Sequence, residues 1–198
     1  MTTLTLVFVV LAYLIGSVPF AVLSSKMFGL ADPRSYGSGN PGATNVLRSG
    51  KKSAAILTLV GDALKGTLAV WIMAHFGSPA PLAIALAGLA AFLGHVYPVT
   101  LGFKGGKGVA TAIGVLGAFS GWLALACAVV WALVALTFKY SSLAALMASL
   151  AAPLIAHFLI GEPAITAACV IMAALLIYRH LTNIKRLMAG TEPRIGKK

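Results

Sequence analysis

The sequence predicts an all-α integral membrane protein: one domain (1–198) of seven transmembrane helices, with the N-terminus outside and the C-terminus cytoplasmic. Three observations carry this expectation. Of the 198 residues, 60% are hydrophobic and only 10% charged, with a mean hydropathy of +0.96. That is more apolar surface than a soluble domain of this size can hide, so the bilayer is the solvent. The apolar residues also fall in continuous runs, not short alternating strands, which makes the spans helical. Finally, the net charge of +11 comes from fifteen Lys+Arg against four Asp+Glu. The cations sit in short loops between apolar runs, where they read as topology signals plus an anion site and not as a nucleic-acid surface.

A span needs about 20 apolar residues. Helix one is expected over about 3–23, stopping at Ser24-Ser25-Lys26, with a kink or close packing where Gly16, Ser17 and Pro19 interrupt it. It lacks a positive n-region and a clear cleavage site, so it reads as a retained helix. A long polar loop follows over 29–52. Helix two covers about 53–76 and carries Asp62 and Lys65 near its start, an i, i+3 pair read as structural. After the uncharged turn 77–81, helix three runs to about Val99, with Gly94-His95 near its exit. A second polar loop (100–108) leads to a segment of about 108–119, too short for a straight span and therefore either tilted or partly re-entrant. In the re-entrant case its N-terminus would favour an anion. Helix five (about 122–138) ends at the loop 139–142, helix six runs to about Ile160, and helix seven to about Leu181. The tail 182–198 closes the chain.

Alternating the loops checks this count. One set holds Lys26, Arg34, Arg48, Lys51, Lys52, Lys104, Lys107, Lys139, Arg179, Lys185, Arg186, Arg194, Lys197 and Lys198, which is fourteen of the fifteen Lys+Arg. The other set, 77–81, 120–121 and 161–163, holds none. The positive-inside rule puts the first set in the cytoplasm.

All the polar residues of interest fall on that cytoplasmic side. The stretch 37–48 (Gly-Ser-Gly-Asn-Pro-Gly-Ala-Thr-Asn-Val-Leu-Arg) combines glycines, which let a backbone approach a ligand, with a stiffening Pro41. Its consecutive amides are expected to form an anion nest, with Ser38, Thr44, Asn45 and Arg48 as further donors. Glycine and cation recur in 102–108 (Gly-Phe-Lys-Gly-Gly-Lys-Gly), and two such loops on one side suggest a shared phosphate site. The second loop is not a Walker A sequence: Leu101 stands in place of the first glycine and Gly108 in place of Ser/Thr. No histidine is followed five residues on by Asp. His75 and His157 fall near outer helix ends and read as structural, whereas His95 and His180 lie at cytoplasmic ends. His180 and Asn183 share a helical face. Cys127 and Cys169 read as packing residues, and no cysteine or histidine spacing suggests a metal. A small anion transporter would want similar ingredients, but it would bring internal repeats and midplane polar residues that this chain lacks.

These motifs, with 94–111 (Gly-His-Val-Tyr-Pro-Val-Thr-Leu-Gly-Phe-Lys-Gly-Gly-Lys-Gly-Val-Ala-Thr), Tyr-Ser-Ser-Leu at 140–143 and His-x-x-Asn at 180–183, closely resemble the bacterial membrane acyl-phosphate:glycerol-3-phosphate acyltransferases, the PlsY family. The resemblance spans nearly the whole chain. It implies transfer of a fatty acyl group from acyl phosphate to the sn-1 hydroxyl of glycerol 3-phosphate at the cytoplasmic face of the inner membrane. Lysophosphatidic acid and phosphate would result, the first acylation of phospholipid synthesis, with membrane lipid around the protein and no nucleotide, nucleic acid, cofactor or metal. Carried over by motif, Ser38, Arg48, Lys104 and Asn183 would hold glycerol 3-phosphate, with His95 and His180 around its glycerol hydroxyls. Gly42, Ala43, Thr44 and Asn45 would hold the acyl-phosphate group, helped by Lys107, with Asn40 and Ser142 as further binding residues. Catalytic roles would fall to Ser38, Lys104, His95, His180 and Asn183.

No carboxylate suits the role of base. Asp32 precedes a proline, Asp62 is expected to be tied to Lys65, Glu162 is external and Glu192 lies in the tail. A proton taken by the phosphate of the donor is what the resemblance implies. Alanine at Gly42 or Gly105 is expected to fail, by excluding phosphate or by a disallowed backbone angle.

Overall fold

A computed structural model describes residues 2–196, all of whose regular elements are helical. Lys197 and Lys198, counted among the cytoplasmic cations, lie outside the described residues. Helix α1 (Thr3–Gly16) is capped by Thr2, whose hydroxyl accepts the Thr5 amide at 3.2 Å. It stops where Pro19 removes a donor. After the break α2 (Phe20–Met27) departs at 40°. The expected interruption is thus a full break, and the helical path runs to Met27, past the expected stop.

The polar loop is not all loop. It contains α3 (Ala43–Leu47), which forms because Val46, fully buried, packs with Ala21 of α2 and with Ala54 and Ala55 of the next helix. That next helix, α4 (Lys52–Ile72), loosens into a π turn at Met73–Gly77. Helix α5 (Pro81–Val96) opens on Pro81, whose missing amide costs nothing at a first helical position. A 3₁₀ turn (Val99–Leu101) and the second glycine loop lead to α6 (Val109–Phe119), then α7 (Gly121–Phe138), α8 (Ser141–Leu159), α9 (Pro163–Arg179) and α10 (Leu181–Met188). Ser141 and Ser142, expected in a loop, form the first turn of α8. Part of the expected tail is α10, bent 59° from α9 at His180. Its apolar Leu181, Ile184 and Leu187 recur at helical spacing beside Lys185 and Arg186, an amphipathic pattern.

Among the described residues, four helices are individually long and apolar enough to cross a membrane, and counting each bent pair (α1–α2 and α9–α10) as one span brings the number to as many as six. Helix α6, at 11 residues, falls short of a span. Small residues bring the helices together, most extensively α4 with α6, α1 with α5 and α7 with α8. Gly114 lies against the backbone of Ala63, and Gly16 against that of Ala91. One core cluster, including Phe92, Val115, Leu123, Cys127, Leu146 and Cys169, joins α5 to α9. Both cysteines are buried and free in it, as expected of packing residues. Outward-facing Phe158, Trp122 and Leu136 are 84%, 71% and 68% exposed, a surface suited to lipid and not to water.

Candidate active site

One end of the bundle gathers the α1–α2 break, the loop bearing α3, the second glycine loop, the α7–α8 corner and the α9–α10 corner. The two glycine loops meet there: a methyl group added at Gly106 would stand 3.1 Å from the Pro41 carbonyl oxygen. The expectation that they share one site rests on this contact.

The first loop is braced by Asn45. Its buried amide donates to the carbonyls of Pro33 (2.6 Å) and Tyr36 (3.2 Å), while its Oδ1 accepts the Ser38 amide at 2.9 Å. Asn45 therefore shapes the loop and offers no open donor. The four-amide nest shrinks likewise: the Gly42 amide donates to Asn40 and the Asn45 amide to Gly42, both at 2.9 Å. The amides of Ala43 and Thr44, the first two of α3, have no acceptor among the described residues. Ser38, Thr44 and Arg48 are exposed, and the Arg48 side chain lies alongside Gly37.

The second loop spends its glycine amides inward: Gly105 donates to Val96 (3.1 Å) and Gly106 to His95 (3.2 Å). Its carbonyls are held by Arg179, whose Nη2 donates to Gly105 at 2.9 Å and whose Nε donates to Gly106 at 3.3 Å. Lys104 is exposed and forms no side-chain hydrogen bond among the described residues. Helix α6 starts directly after this loop, so its N-terminal end opens on the site.

Lys107 donates to Asn183 Oδ1, and Asn183 Nδ2 donates to Glu192 Oε1 at 2.6 Å. The same oxygen accepts Ser142 Oγ at 2.6 Å, and Oε2 accepts Arg186 Nε at 2.7 Å. Glu192 reaches this position because the chain after α10 folds back, the Ile195 amide donating to the Lys139 carbonyl at 2.7 Å. Burial favours the neutral carboxyl, but the bonds from Ser142, Asn183 and Arg186 outweigh it and hold Glu192 below the ordinary carboxylate range. Burial, with Arg186, Arg179 and Arg48 nearby, pushes Lys107 down to about 8, against the pull of Glu192. Lys107 thus shares its surroundings with three arginines and a single carboxylate, and an anion would relieve the excess positive charge.

Of the two histidines, His180 is buried at the α9–α10 corner, its Nδ1 2.8 Å from the Leu176 carbonyl oxygen. That acceptor places the hydrogen on Nδ1 and leaves Nε2 for another partner. His95 lies deeper, 3.4 Å from Asp62. The expected Asp62–Lys65 pair is present at 2.8 Å but sits mid-helix, not near the start of α4. Asp32 is held by Arg34 at 2.6 Å. Arg179, Arg186 and Glu192 were not legible as site residues. The available signal was a lone carboxylate in a strongly cationic tail.

The chain matches the family model described as glycerol-3-phosphate acyltransferase over residues 6–190. Proteins named glycerol-3-phosphate acyltransferase from Burkholderia thailandensis and from a Janthinobacterium species are 60% and 57% identical to it, covering 96% and 98% of this chain and 95% and 98% of their own. Among solved structures, it is similar to the crystal structure of PlsY, described as an integral membrane glycerol 3-phosphate acyltransferase. The glycerol 3-phosphate form superposes with a TM-score of 0.91 at 42% identity, over 97% of this chain and 96% of that one. The lysophosphatidic acid form gives 0.88 at the same identity, over 97% and 95%.

Proposed function

Because the chain belongs to the glycerol-3-phosphate acyltransferase family, we propose that it moves a fatty acyl group from acyl phosphate to the sn-1 hydroxyl of glycerol 3-phosphate. The observation that carries this reading is that Arg48, Arg179 and Arg186 bear on Lys107, the residue after the Gly106 that touches the first glycine loop. Two phosphorylated substrates together bring about four negative charges, which require several cations and donors in one place.

Ser38, Arg48 and Lys104 hold the glycerol 3-phosphate, and Asn183 aims the Lys107 ammonium while itself held by Glu192. The Ala43 and Thr44 amides and Lys107 take the acyl-phosphate group, with Asn40 and Gly42 at the approach to α3. His180 Nε2 serves the glycerol hydroxyls, while His95, with Nδ1 toward Asp62 and its Nε2 edge against Gly106, acts through the second loop. The glycerol oxygen attacks the acyl carbonyl carbon, the carbon–oxygen bond to phosphate breaks, and the hydroxyl proton passes to a phosphate oxygen. Lysines and amides stabilise the charge that develops. No protein residue is acylated. The acyl chain lies between helices open to lipid, with the site at the cytoplasmic face of the inner membrane.

Purified protein given acyl phosphate and glycerol 3-phosphate is expected to release phosphate only when both are present. Release with either alone, or acylation from a thioester donor with acyl phosphate inert, would overturn the reading. The loop charges also support seven spans with the N-terminus outside. A reporter fused at the C-terminus is expected to behave as cytoplasmic and one in 77–81 as external, and the reverse would move the site to the other face.

Lys107 gives a pH signature. Its pKa is depressed to about 8, so the charged form that binds anions is present below that pH and lost above it. In the free enzyme kcat/KM is therefore expected to fall above about pH 8. Lys107→Arg, which stays charged, removes that limb from the profile; an unchanged limb in the variant would assign it to another group.

A further inference from the structure

On the bundle side of the second glycine loop, three ionisable side chains are buried together. Asp62 and Lys65 on α4 and His95 at the end of α5 are 2%, 4% and 7% exposed. Lys65 Nζ lies 2.8 Å from Asp62 Oδ1 and donates to the Val18 carbonyl at 2.7 Å. His95 Nδ1 is 3.4 Å from the same carboxylate oxygen. The cavity beside them has a volume of about 10 Å³, room for no more than a single water, so no substrate binds there.

His95 is where this cluster meets the site. Its carbonyl accepts the Gly106 amide at 3.2 Å, and its Nε2 edge packs against Gly106, leaving no room for a side chain there. Gly106 in turn lies against Pro41 of the first loop. A route of contacts therefore runs from Asp62 through the imidazole to the place where the two loops touch.

Capping the broken helix accounts for only part of this. The break between α1 and α2 frees carbonyls that the bilayer cannot solvate; Thr100 satisfies that of Ser17 at 2.6 Å, and Lys65 that of Val18. A hydroxyl suffices at Ser17, so capping explains neither a buried charge at Lys65 nor the carboxylate opposite it. An ion pair inside a membrane bundle is costly relative to apolar packing and marks a specific task.

We propose that Asp62 and Lys65 are positioning residues: their ion pair orients His95 and, through it, sets the Gly105–Gly106 turn and its contact with Pro41. This rests on the acyltransferase reading above, and one arm of the test does not depend on it.

The variants are Asp62→Asn and the double variant Asp62→Asn/Lys65→Met, which removes both charges. They are measured for kcat and KM with glycerol 3-phosphate, for melting temperature, and for hydrogen exchange across residues 104–107. Asp62→Asn is expected to lower kcat/KM at least 30-fold, mainly through KM. The double variant is expected to regain the wild-type melting temperature without regaining kcat/KM, and to exchange faster at 104–107 while α4 stays protected. Recovery of kcat/KM and exchange to within twofold of wild type in the double variant would make the pair a stability device and overturn the proposal. Failure of the double variant to fold would overturn it too, by assigning the pair to the fold. If the wild-type protein shows no turnover, the acyltransferase reading fails, and the exchange arm still decides whether the pair positions the loop.

Discussion

Replacing Arg48 by alanine is expected to remove nearly all turnover while leaving the protein folded and inserted. The guanidinium is exposed and makes no hydrogen bond among the described residues, so its loss leaves no buried group unpaired. Losing one charge-assisted partner of a bound phosphate costs about 1.5–3 kcal/mol, roughly 10- to 150-fold. Lys104, exposed and equally uncommitted, is expected to give a loss of the same size on its own. The two together should exceed either, since each lacks a partner in the fold that could take over. Steady-state kinetics with glycerol 3-phosphate, beside a melting curve, separates this outcome from unfolding. Near-normal kcat/KM in both variants would remove the phosphate site as drawn.

Gly105→Ala is expected to be more damaging, and for a different reason. A methyl group there would overlap the His95 carbonyl and Pro98 Cδ and stand 2.8 Å from the Val96 carbonyl oxygen. Two of these three neighbours are backbone, so the loop must leave α5, breaking the hydrogen bonds that the Gly105 and Gly106 amides donate to Val96 and His95 and the Arg179 clamp on their carbonyls. Activity should be lost together with a lowered melting temperature. Gly42 offers the contrast. Its φ of −153° suits any residue, and an added methyl group would meet only the Asn40 side-chain nitrogen at 2.9 Å. The disallowed angle expected at Gly42 is absent, so Gly42→Ala should fold normally, and any loss of turnover would report a ligand pressed against that backbone.

How much of this was legible in the sequence depends on distance along the chain. The break at Gly16, Ser17 and Pro19 and the short α6 are local events, written in glycine, proline and run length, and both are found. The two glycine loops announce themselves by composition, and they do touch. Helix α3 was hidden because its register is set by Val46 packing on α2 and α4 and not by its own five residues. Glu192 reads from sequence as a tail residue, because a carboxylate in a polar tail is ordinarily solvated. Only the return of Ile195 to Lys139 brings it against Ser142, fifty positions earlier in the chain. Asn45 reads from sequence as a donor to substrate because its residue type fits that role, but its three bonds within the loop are invisible without the turn they close.

The most direct measurement of the central claim uses acyl phosphate labelled in its acyl chain and purified protein at substrate-level concentration. In the presence of glycerol 3-phosphate, the label is expected to pass in a single turnover to 1-acyl-glycerol 3-phosphate, with an equal amount of phosphate released. Without the acceptor, the label stays on the donor and the protein remains unlabelled. Labelled protein formed from acyl phosphate alone would contradict direct transfer at the paired loops.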